Sequence, residues 1–177
     1  MRKYICMALL MCMASLAFSQ EIIINGLNKN RPLTWDDFKG VPDKSSYYDA
    51  NTYWNITYNI NGISFKGDTA KINRFSVILK LNENFCWVKP EKQTSILLKH
   101  EQGHFDLGLI CQREITTQLN NTVFLKADFQ NKIPTIFSSI LEKYRLLGIQ
   151  YDEQTDHSKN QAMQDKWNSF FAEALNK

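Results

Sequence analysis

The sequence predicts an α+β domain in which an N-terminal antiparallel β-meander is followed by a helical half. Two observations carry this prediction. Between Ala50 and Val88 the apolar residues recur mainly at the two-residue period of half-buried strands. Beyond Pro90 they recur at the period of an amphipathic helix. Strands first and helices afterwards place the helices against one face of the sheet. At 177 residues, 44% of them hydrophobic, the chain can bury one real core, and no repeat or low-complexity tract points to a disordered or fibrous architecture.

The elements follow in chain order. Arg2 and Lys3 form a short basic region, Tyr4 to Leu16 is an uncharged apolar run, and Ala17-Phe18-Ser19 sets small residues at the −3 and −1 positions of a cleavage site. The run is too short to span a bilayer well, and the chain turns polar at Gln20-Glu21. Residues 1–19 therefore read as a signal peptide and 20–177 as a single mature domain. An exported protein, periplasmic or secreted, with no stable membrane insertion after signal removal, is the expectation. Removing Arg2 and Lys3 leaves 19 basic residues against 18 acidic ones, so there is no basic surplus of the kind that draws nucleic acid. Cys86 and Cys111 remain in the mature chain. In an oxidising compartment they can pair, or Cys111 can stay a free thiol on a buried helix face; the spacing leaves both open.

Leu33-Thr34-Trp35-Asp36-Asp37-Phe38-Lys39-Gly40 reads as a helical turn with Thr34 as N-cap, two aspartates at its positive end and Gly40 as its stop. Tyr53, Trp54, Ile56, Tyr58 and Ile60 have strand spacing, and Asn61-Gly62 after them is a hairpin signal. Ile63 to Lys66 and Ala70 to Leu81 add strands around a Gly67-Asp68 turn, and Phe85 to Val88 a short one. Pro90 marks the change to helix, which spans about 91–120. A second helix over about 127–147 is kinked or broken by Pro134 and ended by Gly148. A polar loop over 149–158 leads to a last amphipathic helix over 160–175, with Met163, Trp167, Phe170, Phe171 and Leu175 apolar.

The chemistry concentrates in His100-Glu101-Gln102-Gly103-His104, inside the first long helix. Four residues make slightly more than one turn, so the two imidazoles project side by side and can reach one tetrahedral ion. Glu101 is rotated by about 100° from His100, beside such an ion and not on it. From there a carboxylate can take a proton from an activated water and later hand it to a leaving amine. The same stripe continues through Leu107, Cys111 and Ile115, so the histidines face the interior at the lip of the core. Gly103, costing about 1 kcal/mol of helix propensity relative to alanine, serves close approach of another segment or of a substrate, or tight helix packing.

A catalytic zinc site takes three protein ligands and keeps one position open. His157 is the one histidine outside the motif and the first candidate for third ligand, with Asp106, Asp152 and Asp156 as alternatives. Tyr151 is a candidate hydrogen-bond donor to an oxyanion, or else an anchor for its loop. Asp106 is a candidate for orienting a ligand imidazole.

Three stretches resemble a bacterial family known as domain of unknown function 922 (DUF922), described as secreted zinc-dependent proteases. They are Leu33 to Gly40, Leu98-Lys99-His100-Glu101-Gln102-Gly103-His104-Phe105-Asp106, and Tyr151-Asp152-Glu153-Gln154-Thr155-Asp156-His157, accompanied by Gln164 and Trp167. Ser158 stands where the likeness leads one to expect glycine. The resemblance implies a zincin-like domain over 20–177 carrying an HExxH active-site helix, with a peptide or protein as substrate. Together these readings describe a zinc metallopeptidase with one Zn2+ per chain, bound by His100, His104 and His157, with Glu101 and Tyr151 as catalytic residues. The competing readings are a non-catalytic zinc-binding module and a metal-dependent amidase acting on cell-wall peptides.

Overall fold

The structure is a computed structural model that describes residues 17–176. The predicted signal segment lies outside the described residues up to position 16, and Ala17–Ser19 open the first strand. The α+β division holds. A sheet-rich N-terminal half contains β1 (Ala17–Ile24), β2 (Leu27–Asn28), β3 (Ala50–Asn51), β4 (Trp54–Lys66), β5 (Thr69–Leu81) and β6 (Trp87–Val88). The C-terminal half contains α1 (Ser95–Asn121), the two-residue β7 (Phe124–Leu125), α2 (Phe129–Thr155) and α3 (Gln161–Leu175). Short 3-10 turns cover Trp35–Asp37, at the predicted helical turn, and Pro90–Lys92.

The sheet is mixed and not a pure meander. Its order is β2-β1-β5-β4, with β7 added at the Thr69–Ala70 end of β5 and β3 paired separately with β6. β1 runs parallel to β5, from Ala17 beside Arg74 to Ile23 beside Lys80. Strand β5 is consequently central, and Phe75, Val77, Leu79 and Leu81 on it are all but inaccessible. The hairpin between β4 and β5 turns at Gly67-Asp68 and not at Asn61-Gly62. At Asn61-Gly62 the register shifts instead, with Ile60 opposite Phe75 and Gly62 opposite Arg74. A second shift restores the register with Ile63 opposite Ile72, so the irregularity leaves one residue unpaired on each strand. Ile60 and Ile63, three positions apart, thereby both pack against the core.

The helices cover one face of this sheet. The predicted stripe on α1 is buried, with Leu107, Cys111 and Ile115 at most 1% exposed. Gln112, also inaccessible on α1, donates to the backbone carbonyls of Glu21 and Val77 at 2.7 Å each, tying the helix to both parallel strands. The Trp54 indole donates to the His104 carbonyl at 2.8 Å and fixes the start of β4 to the motif turn. Thr94 caps α1 by accepting from the Leu97 amide at 3.1 Å. Cys86 and Cys111 are buried free thiols and do not pair.

The second helix differs from its prediction in a way that matters for function. It runs through both Pro134 and Gly148 and ends at Thr155, so that 149–155 is helix where the sequence predicts a loop. Its buried residues Ile140, Tyr144, Tyr151 and Thr155 continue one stripe past Gly148. Tyr151 is thereby pressed against α1 at Gly103. A methyl group on Gly103 would lie 2.7 Å from Tyr151 Cζ and 2.8 Å from Phe171 Cε2, whereas one on Gly148 would meet nothing. Tight helix packing is thus the use of Gly103. The two glycines are expected to respond to alanine with opposite signs in urea denaturation. Gly103→Ala should destabilise by about 1–3 kcal/mol through overpacking. Gly148→Ala should stabilise by roughly 0.5–1 kcal/mol through helix propensity.

Candidate metal centre

His100 and His104 stand side by side on α1, their ring centroids 4.9 Å apart. Because α2 continues past Gly148, Asp152 is carried on a helix to a point facing both. Its Oδ1 lies 3.1 Å from His100 Nε2 and 2.9 Å from His104 Nε2. These two nitrogens and a carboxylate oxygen lie within 4.8 Å of one another and could hold a metal ion. His157, the first candidate from sequence, is brought to the same oxygen, its Nδ1 3.5 Å from Asp152 Oδ1, but it is not part of that three-donor cluster. Asp156 is exposed at the C-cap of α2 and is not one of the three donors.

The groups behind His100 decide which of its nitrogens faces Asp152. The Tyr151 hydroxyl carries one proton and donates it to the His100 carbonyl at 3.0 Å, since a carbonyl can only accept. The same hydroxyl must then accept from Gln164 Nε2, at 2.7 Å. That orients the Gln164 carboxamide so that its Oε1 faces His100 Nδ1 at 3.1 Å, and Nδ1 has to be the protonated nitrogen. Thr155 Oγ1 also approaches Nδ1, at 3.4 Å. In the neutral ring Nε2 is left with its lone pair aimed at the Asp152 carboxylate. Two lone pairs facing each other repel, and a cation between them turns the contact attractive. The residues present therefore fit a metal ion: two imidazoles and one carboxylate, with one imidazole held in the ligating tautomer from behind.

The three facing groups also shift one another electrostatically. Burial alone would push the Asp152 carboxyl up, but the facing imidazoles of His100 and His104 outweigh it and hold the group below the usual carboxylate range. Burial alone would lower His104, and the Asp152 carboxylate outweighs it and raises the group above an ordinary histidine.

Tyr151 proves to be an anchor and not an oxyanion donor. It is fully buried, stacks on the His100 ring with centroids 4.6 Å apart, and has its hydroxyl committed to His100 and Gln164. Asp106 does not orient an imidazole. It accepts from Gln102 Nε2 at 2.7 Å on a different side of α1, and Gln102 Oε1 accepts in turn from the Leu33 amide at 2.7 Å. The orienting role that the sequence assigns to Asp106 belongs to Gln164 and Thr155. Gln164 had a legible signal, being a polar residue in phase with the buried Trp167 and Phe171 on α3.

Glu101 is 3% exposed and accepts from Thr52 Oγ1 at 2.6 Å. Both residues line a cavity of about 280 Å³ that also reaches His100, His104, Asp152 and His157. His157 is held over this cavity by an unusual turn. Asp156, His157 and Ser158 have φ of +45°, +48° and +78°, the left-handed region, so glycine is the natural occupant of the Ser158 position. The His157 ring packs against Tyr48 and Tyr47, with centroids 4.8 and 5.8 Å away.

Residues 91–158, from the turn before α1 to the turn after α2, match the model of a family described as a bacterial protein of unknown function, DUF922. This part of the chain resembles DUF922. The matched residues include the DUF922-like motif helix, Asp152 and His157, whereas Leu33 to Gly40, Thr52 and Gln164 lie outside them. No curated protein and no solved structure matches the chain.

Replacing Gln164 by leucine strands the Nδ1 proton of His100 and frees the ring to adopt its other tautomer. Metal affinity, measured by competition with a chromophoric chelator, is expected to fall about 10- to 100-fold in Gln164→Leu. An unchanged affinity would separate the Gln164 contact from metal binding.

Proposed function

We propose that the protein is an exported zinc-dependent metallopeptidase whose ion is held by His100, His104 and Asp152, with His157 as an adjoining donor. The observation that carries the proposal is the position of Glu101. Its carboxylate is nearly inaccessible from bulk water yet lines the same cavity as the three donors, and Thr52 is the side chain that holds it there. A structural metal site has no use for a carboxylate beside its ligands and outside its donor set.

Zinc bound at this position supplies Lewis acidity, which acidifies water and polarises a substrate carbonyl. The chain's own residues do the rest. Glu101 takes the proton from the attacking water and returns it to the amine that leaves when the peptide bond breaks. Thr52 donates to Glu101 Oε2, which leaves Oε1 for the proton transfer. Gln164 and Tyr151 keep His100 in one tautomer and one orientation throughout. Export is supported by the basic, apolar and small-residue order of residues 1–19.

Glu101→Gln keeps the shape and the Thr52 contact but has no base. It is expected to retain about one zinc per chain and to lose at least 10²- to 10⁴-fold in peptide hydrolysis. Wild-type protein that binds zinc and cleaves nothing across a broad peptide library would replace the peptidase reading with that of a binding module.

A further inference from the structure

The cavity at the metal centre does not end there. A second cavity, of about 460 Å³, adjoins the first, and both are lined by Thr52 and by Arg145. The two share one wall, the unbroken stretch 49–56, which supplies residues 49–52 to the first cavity and 52–56 to the second. They also share the opposite wall. Asp152, Gly148 and Arg145 line the first, and Arg145, Leu141 and Ser138 the second. Those positions recur every three or four residues, which is a single face of α2. The two cavities are therefore successive parts of one furrow between a backbone segment and a helix face.

Its dimensions and lining point to an occupant. From Asp152 to Ser138 the helix rises about 21 Å at ~1.5 Å per residue. An extended polypeptide at ~3.3 Å per residue covers that length with about six residues. Lined at the metal end by Tyr47, Tyr48 and His157, the furrow becomes apolar at the other, where Tyr53, Ile56 and Leu141 line it. At the join sits Arg145, exposed and paired with Glu142 through two contacts of 2.7 Å.

We infer that this furrow is the substrate-binding site for an extended polypeptide of about six residues, which sets an apolar side chain against Tyr53, Ile56 and Leu141. The inference rests on the peptidase reading and deepens it. The substrate is an extended polypeptide segment and not a short amide or a dipeptide.

Binding to zinc-loaded Glu101→Gln protein tests this without turnover. Acetylated and amidated alanine-based peptides, from dipeptide to octapeptide and with leucine or glutamate at single positions, are titrated by calorimetry. Affinity is expected to rise at least about tenfold from tetrapeptide to hexapeptide and then level off, with leucine preferred over glutamate at one position. Ser138 is exposed at the far end of the furrow, and Ser138→Trp should remove that gain. Ser139→Trp, exposed but one position off the lining face, should keep it. Comparing the unfolding midpoints of the two tryptophan variants separates blockage from misfolding. Affinity independent of length, no binding by any peptide, or a Ser138→Trp variant that folds and binds like Ser139→Trp would overturn the furrow. A hexapeptide that binds but is left intact by zinc-loaded wild type would overturn the peptidase reading and leave the furrow standing. Cleavage with no dependence on length would do the reverse.

Discussion

The single proton of the Tyr151 hydroxyl sets the polarity of the whole candidate centre. Because it goes to the His100 carbonyl, Gln164 must donate to the hydroxyl and accept from His100 Nδ1, and His100 must present Nε2 to the cavity. Each of these groups is inaccessible or nearly so, and a buried polar group without a partner costs about 1–3 kcal/mol. The chain is therefore cooperative, and reversing any one bond would orphan another. It also joins the three helices of the described residues, since His100 lies on α1, Tyr151 on α2 and Gln164 on α3.

Packing makes that chain possible. Tyr151 reaches the His100 carbonyl because Gly103 leaves room for its ring, and Phe171 fills the space beside it. The sheet side contributes from the opposite side of α1, where Trp54 at the start of β4 bonds the His104 carbonyl and Thr52, in the link from β3, bonds Glu101. The motif turn is thus held by the sheet at one face and by two helices at the other. Its donors are positioned by rigid elements, and the exposed segments that form the wall and rim, among them Tyr47 and Tyr48, are free to meet a ligand.

The parts of this arrangement that depend on local periodicity were legible in the sequence. The histidine pair, its helix, the inward stripe through Leu107, Cys111 and Ile115, and the last helix all follow from spacing of about one turn. What was not legible depends on contacts between distant residues. Parallel pairing of β1 with β5 joins residues more than fifty apart, and Thr52 meets Glu101 across 49 positions. The end of α2 is an intermediate case. Gly148 and the polar run after it read as a loop, yet Tyr144, Tyr151 and Thr155 continue the buried stripe of Ile140. His157 precedes Asp152 as a sequence candidate because it is the one histidine outside the motif, and the position of Asp152 is fixed by a helical turn that the sequence reads as loop.

The most direct test is a crystal structure of the zinc-loaded protein with the ion located by anomalous scattering at the zinc edge. The account predicts one ion per chain, within about 2.0–2.2 Å of His100 Nε2, His104 Nε2 and an Asp152 oxygen, with His100 Nδ1 still donating to Gln164. An ion bound through His100 Nδ1, an ion with His157 in the place of Asp152, or no ion at these residues would contradict it.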